Sequence, residues 1–262
     1  MVKELRDKTD AGMMECKKAL VETDGDMQAA VEYLRKAGIA KSEKRADRAT
    51  KEGKVYIAAE GNKAVAVEIL CETDFVAGNE KFVEYVQKAA KNILDNTTGD
   101  GDITEEALKI EAEDLAALFT KFGEKMVLRR AIRFESAGQI GSYLHGGGKI
   151  GVIVEVEGAC DADVLKALCL HIAAYSPLYV SSAEVPADAI AKEKEIASAQ
   201  LAAEGKPANI IEKIVTGKIN KWFSDICLLD QAWIHDDKSC FKKLYPNVTV
   251  KRFIRWMVGQ EL

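Results

Sequence analysis

Glu68-Ile-Leu-Cys-Glu-Thr-Asp-Phe-Val-Ala-Gly-Asn-Glu-Lys-Phe82 holds the joint on which the fold turns. Ahead of it, the β-branched and apolar run from Ala64 to Cys71 reads as a strand. Behind it, Phe82, Tyr85, Val86, Ala89, Ala90, Ile93 and Leu94 recur at helical spacing and predict a helix from about Asn79 to Asp95. Thr73 suits the N-cap of a first turn, and Asp74 just inside it suits the positive end of the helix dipole. Phe75 then sits rigidly at the edge of an element. Local reading leaves it two fates: large apolar side chains are mostly inside, so it can plug a gap beneath the next helix, or it can stand outward as a contact.

Working outward, Val55-Tyr-Ile-Ala and Ala64-Val-Ala-Val-Glu-Ile-Leu flank Gly61-Asn62 and predict a hairpin. The same plan returns later as Ser142-Tyr-Leu-His, the turn Gly146-Gly-Gly-Lys149, the strand Gly151-Val-Ile-Val-Glu-Val, and a helix through Val164, Leu165, Leu168 and Ile172. Hairpin-then-helix used twice predicts an α+β core of two related subdomains, 54–138 and 139–262. Between them, helical patterns around Leu108 and from Leu115 to Phe122 lead into a charged strand, Met126 to Glu135. Residues 1–40 carry three short helical patterns, with Asp24 suited to cap the third and Gly38 to end it. Such a module must have a thin core. Residues 41–53 are polar throughout and read as a solvated, partly helical linker. Ala187 to Ala203 and Ala208 to Ser224, joined at Gly205-Lys-Pro207, predict an antiparallel helical hairpin inserted at 187–224, with Ile190, Ala197 and Leu201 facing Ile211, Ile214, Val215 and Trp222. Val250 to Val258 should rejoin the core sheet.

Composition removes several functional classes. A 48% hydrophobic fraction over 262 residues supports a real core. No apolar run reaches membrane-spanning length, and Met-Val-Lys-Glu-Leu-Arg lacks a signal-peptide core, so the expected location is the cytoplasm. A net charge of −5 disfavours direct nucleic-acid binding and favours a protein partner. The six cysteines form no CxxC pair, which predicts buried thiols rather than a zinc site or disulfides. Gly146-Gly-Gly-Lys149 fails as a phosphate loop: Tyr143 occupies the first glycine position, Ile150 replaces the hydroxyl residue, and no helix start follows. His171 reads as a packed histidine, and Glu105-Glu106 as a solvated helix face. No nucleophile elbow or metal-ligand spacing occurs. No cofactor is called for, and nothing positive supports an enzyme.

Three blocks taken together, Thr9-Asp-Ala-Gly-Met-Met-Glu-Cys-Lys-Lys-Ala-Leu20, Cys71-Glu-Thr-Asp-Phe-Val76 and Tyr143-Leu-His-Gly-Gly-Gly-Lys-Ile-Gly-Val152, resemble the translation elongation factor Ts family. The resemblance covers nearly the whole chain and implies a nucleotide exchange factor for the GTPase elongation factor Tu. It implies that Thr73, Asp74, Phe75 and Val76 form the segment that dislocates Mg²⁺ from the GTPase. It likens the three-helix module to ubiquitin-associated (UBA-like) domains and makes Met13 and Met14 partner contacts, with His145 and Gly146 near the same interface. A homodimer or a 2:2 complex stays open. The sequence departs from the family at Asp10, where glycine is usual, at Leu70, where Asn is frequent, and at Gly78, where a charged residue is frequent; it also ends at Leu262, without a further helix some members carry. Two other readings stand beside this one: a non-catalytic binding or dimerising scaffold, and an enzyme using nucleotide at an unrecognised site.

Overall fold

The computed structural model describes residues 1–9, 11–43, 48–203 and 207–261. The order of elements is α1 Val2–Thr9, α2 Met13–Glu22, α3 Met27–Glu43, β1 Glu52–Glu60, β2 Lys63–Cys71, α4 Asp74–Ala77, α5 Glu80–Asn96, β3 Gly101–Asp102, α6 Thr104–Phe122, β4 Val127–Glu135, β5 Gln139–His145, β6 Ile150–Glu157 and α7 Ala162–Tyr175. There follow α8 Ala187–Ala203, α9 Ala208–Ile226, β7 Ala232–Trp233, β8 Asp236–Cys240, α10 Phe241–Leu244 and β9 Thr249–Met257. The chain is a mixed α+β fold that divides into two units. Residues 1–136 form the first, together with Leu144–Gly151 and the chain from Trp256 on; Ala137–Tyr143 and Val152–Arg255 form the second.

In the first unit β1, β2, β4 and β3 lie in that order in one sheet, with β1, β2 and β4 antiparallel neighbours. Glu60 pairs with Lys63 across the two-residue turn Gly61-Asn62, where Gly61 takes a left-handed φ of 60°. Val65, Val67, Ile69 and Cys71 alternate along β2 and pack with Phe82, Val86, Ala89, Ala90 and Ile93 of α5. Ala64, Ala66, Glu68 and Leu70 between them are also buried, which is why the run lacks polar alternation. Buried Glu111 of α6 accepts from Tyr85 Oη at 2.9 Å and Asn92 Nδ2 at 2.8 Å, tying α6 to α5. Arg133, also buried, donates to the Leu94 carbonyl at 2.9 Å, where α5 is ending.

The three amino-terminal helices close on Leu5, Ala11, Cys16, Ala19, Leu20, Ala30 and Leu34. Two local expectations are corrected there. Asp26, not Asp24, caps α3, accepting from the Gln28 and Ala29 amides at 2.8 and 2.9 Å; Asp24 instead occupies the turn, at a φ of 47°. Nor does Gly38 end α3, which continues to Glu43. One interior glycine costs a helix only ~1 kcal/mol, and packing against α6 outweighs it. Asp10 and linker residues 44–47 lie outside the described residues, as do Gly205 and Lys206 of the helical-hairpin turn.

In the second unit β5, β6 and β9 are neighbours in that order, so the Val250 to Val258 run joins a core sheet as its pattern predicts. The patterns at Leu108 and at Leu115 to Phe122 belong to one helix, α6. The α8–α9 hairpin has a thin core of Ala197, Leu201, Val215 and Ile219 with Ile211, Ile214, Trp222 and Phe223 against it; among the described residues Ile190 is not part of that core. His171 is fully buried, stacked on Tyr175 at 4.6 Å and on Trp233 at 5.1 Å. Its Nε2 lies 3.0 Å from Gln231 Oε1, and the Gln231 amide nitrogen donates to the Tyr175 and Asp225 carbonyls. The oxygen of Gln231 must therefore accept, which puts the proton on Nε2 and leaves Nδ1 as a bare acceptor. Burial pushes the His171 pKa down.

Candidate functional site

The Thr73 to Val76 turn is built from local and distant bonds. Thr73 has an extended backbone, and its hydroxyl oxygen accepts the Val76 amide at 3.4 Å, the N-cap expected of it. The Gly78 amide closes back on the Asp74 carbonyl at 2.8 Å, and Asn79 starts α5 by capping the Lys81 amide at 3.0 Å. Of the two residues that fasten this turn to the rest of the unit, Glu72 lies in the Cys71–Val76 block without a role read for it, and no sequence pattern flagged Glu124. Glu124, just past α6, accepts from the Thr73 hydroxyl at 2.7 Å and the Thr73 amide at 3.1 Å. Glu72 returns the exchange, accepting from the Lys125 amide at 2.7 Å and from Arg48 at 3.0 Å. Two adjacent carboxylates thus cross between segments about fifty residues apart, each holding the backbone beside the other.

The consequence is a sorted set of side chains. Val76 is 8% exposed and packs in the core of the unit, so it anchors the turn rather than presenting a contact. Asp74 points into solvent, and Phe75 is 86% exposed, the largest value among the exposed large hydrophobic residues described. The gap-plugging fate of Phe75 is thereby excluded for the free protein. Below it, Cys71 is buried and its thiol is pushed up to about 12, first by desolvation and then by Glu124 and Glu52, which makes it a packing group and not a nucleophile.

A second candidate region lies at the same end of the β1–β2 ladder. Gly146, Gly147 and Gly148 take φ values of 58°, 61° and 91°, all left-handed, at the tip of the β5–β6 hairpin. The tip docks on β1: the Val55 amide donates to the Gly148 carbonyl at 2.8 Å and Lys54 Nζ to the Gly147 carbonyl at 2.6 Å. Lys149 reaches Glu52 at 2.6 Å, and Glu52 pairs with Cys71 two residues before Thr73. A Cβ on Gly148 would lie 2.8 Å from the Val55 carbonyl oxygen, and Gly151 is closed against the Val55 side chain. The glycines that mimic a phosphate loop are there for close approach of two backbones. His145 and Gly146 are exposed on this tip.

Met13 and Met14 begin α2 and are 56% and 73% exposed. Just ahead of them Lys8 and Thr9 line a cleft of about 430 Å³ with Lys81, Tyr85 and Lys121 of α5 and α6. Among the described residues no cluster of His, Cys, Asp or Glu could hold a metal ion, and no helix is long and apolar enough to cross a membrane. All six cysteines are free and buried.

The first unit thus carries an outward aromatic on a fastened turn, with a docked glycine tip at the same end of the β1–β2 ladder. Comparisons with known proteins identify the family. A family model described as "Elongation factor TS" matches residues 72–260. Elongation factor Ts of Clostridium botulinum (strain Alaska E43 / Type E3) is 43% identical over 280 residues, covering 99% of this chain and 92% of that protein. Elongation factor Ts of Clostridium perfringens (strain SM101 / Type A) is 44% identical over 286 residues with the same coverage. The chain belongs to the elongation factor Ts family. By that membership it is a protein-synthesis factor of the guanine nucleotide exchange class, not an enzyme.

Proposed function

We propose that this chain binds elongation factor Tu in its GDP-bound form in the cytoplasm and drives GDP out so that GTP can replace it. The observation that carries the reading is Phe75, 86% exposed yet held on a turn fixed by Thr73 and Glu124. Leaving a Phe in water forgoes ~2 kcal/mol of burial, which insertion into a partner recovers. Because the turn is already ordered, little conformational entropy is lost on docking. Phe75 acts as an apolar wedge in the nucleotide domain of the GTPase. Asp74 beside it repositions the groups that hold the partner's Mg²⁺. Losing that cation uncovers the phosphate charge, and GDP leaves. Thr73 and Val76 set the wedge, one as cap and one as anchor; Met13, Met14, His145 and Gly146 supply further contacts.

The energetics constrain this scheme. If the factor weakens GDP binding by a given ratio, GDP weakens binding of the factor by the same ratio. Each tenfold step requires ~1.4 kcal/mol of differential interaction, which must come from contacts made only with the nucleotide-free partner. Release of a fluorescent GDP analogue from purified elongation factor Tu tests the reading directly. Phe75→Ala should slow stimulated release at least about tenfold, the scale expected for an aromatic anchor, with the fold intact. An unchanged rate in the folded variant would remove the wedge. Binding to the GTPase that ignored excess GDP would point instead to a scaffold.

A further inference from the structure

Glu68 is the fully buried carboxylate in the middle of β2, a position where its neighbours are Val67 and Ile69. Burying a charge is expensive unless donors surround it, and a buried ion pair gives little stability beyond what apolar residues of the same size would give. Its partners are therefore informative. Arg130 Nε donates to Oε2 at 2.6 Å, Arg129 stands at 3.4 Å, and the Gly259 amide donates to Oε1 at 2.9 Å. The Arg130 guanidinium also lies 4.3 Å over the Trp256 ring. One carboxylate on β2 thus gathers the segment that follows β9. Gly259 has a left-handed φ of 72°, and a Cβ there would lie 2.6 Å from the Lys51 carbonyl oxygen, so the segment fits at that point only as glycine.

Between those two holds, the Val258 amide donates to the Lys149 carbonyl at 3.0 Å. Lys149 closes the glycine tip that carries His145 and Gly146. From Glu68 the same strand runs on to Cys71, two residues before Thr73. We propose that Glu68 is a positioning residue of the partner-binding surface. Through Gly259, Arg130 and Trp256 it seats the 256–259 segment, which braces the glycine tip on β1 in fixed relation to the wedge turn. This rests on the exchange reading for its functional consequence, although the bracing itself does not.

The test compares full-length wild type with Glu68→Leu/Arg130→Met, a pair replaced by apolar residues of similar volume, and with Gly259→Ala. The first readout is NMR-resolved amide exchange in the free protein. Val55 and Val258 should lose protection while Val76, Ala77 and Gly78 keep it. The second is the concentration dependence of stimulated GDP release from elongation factor Tu. The half-saturating concentration should rise at least about tenfold while the plateau rate, set by the wedge, is kept. A structural defect alone would not divide the two quantities in this way. Retained protection at Val55 and Val258 in the double variant overturns the proposal. Lost protection with wild-type half-saturation overturns it too, as does a fall in the plateau alone. If the double variant does not fold, Gly259→Ala carries both readouts under the same criteria. Should wild type fail to accelerate GDP release at all, the exchange reading falls, and the amide data still decide the bracing.

Discussion

Replacing Glu124 with Ala removes both acceptors that Thr73 faces across the crossed carboxylates. The bonds lost are the 2.7 Å bond from the Thr73 hydroxyl and the 3.1 Å bond from its amide. Hydrogen bonds to a charged group contribute ~1.5–3 kcal/mol each. Both residues are half-buried, so water takes up the freed donors and the loss falls to ~1 kcal/mol for the pair. A freely rotating Thr73 hydroxyl also caps Val76 less well, and a weakened N-cap costs up to ~1 kcal/mol more. The sum of ~2 kcal/mol multiplies the open population of the turn ~30-fold without touching Phe75. Amide protection on the turn should fall ~30-fold as the open population rises, and stimulated GDP release at limiting factor should slow by as much as the closed population falls. Glu124→Gln, which keeps one acceptor, should fall between. The assay is stopped-flow release of fluorescent GDP from elongation factor Tu, paired with amide exchange at Val76, Ala77 and Gly78. A folded Glu124→Ala protein with wild-type release and wild-type protection would refute the view that the turn is fastened from outside.

Two further outcomes follow from packing and titration. The folded-state pKa of His171 is depressed by burial, so the unfolded chain takes up the proton first. Stability is then full above the ordinary histidine pKa of about 6.5 and is lost as pH falls below it. The thermal midpoint should drop between pH 7.5 and 5.5, and His171→Gln should flatten that slope; a wild-type midpoint constant over the range counts against it. Gly151→Ala forces a methyl into the Val55 side chain. Overpacking of this kind costs ~1–3 kcal/mol, visible as a lower midpoint in denaturant, and an unchanged midpoint would show that the glycine tip has room to spare.

What the sequence disclosed was set by the range of the interactions. Thr73 is legible as a cap because a cap bonds two or three residues ahead, and the window that holds the donor also holds the acceptor. Asp24 and Asp26 compete for one cap within that window, and the turn geometry that decides between them depends on Gly25 at a φ of 84°. Gly38 reads as a stop because its intrinsic cost is local, whereas the packing of α3 on α6 that outweighs it is not. Glu124 left no trace, since one acid among 42 carries no mark of a partner about fifty positions earlier. The glycine run was legible as a turn and as a failed phosphate loop, but its docking on Val55 depends on two segments nearly a hundred residues apart. Phe75 stands between these cases. Its place at the joint is a local fact, while its exposure depends on Val76 taking the inward position on the same short turn.

Glu72, Thr73, Glu124 and Lys125 fix the shape of the turn, and none of them is its tip. Asp74 and Phe75 contribute backbone to that shape, but among the hydrogen bonds that fasten it their side chains take no part. The arrangement is a socket with a replaceable bit. Other side chains can be mounted at positions 74 and 75 without rebuilding the mount, so the exposed pair can be exchanged by design while the hydrogen bonds behind it stay as they are.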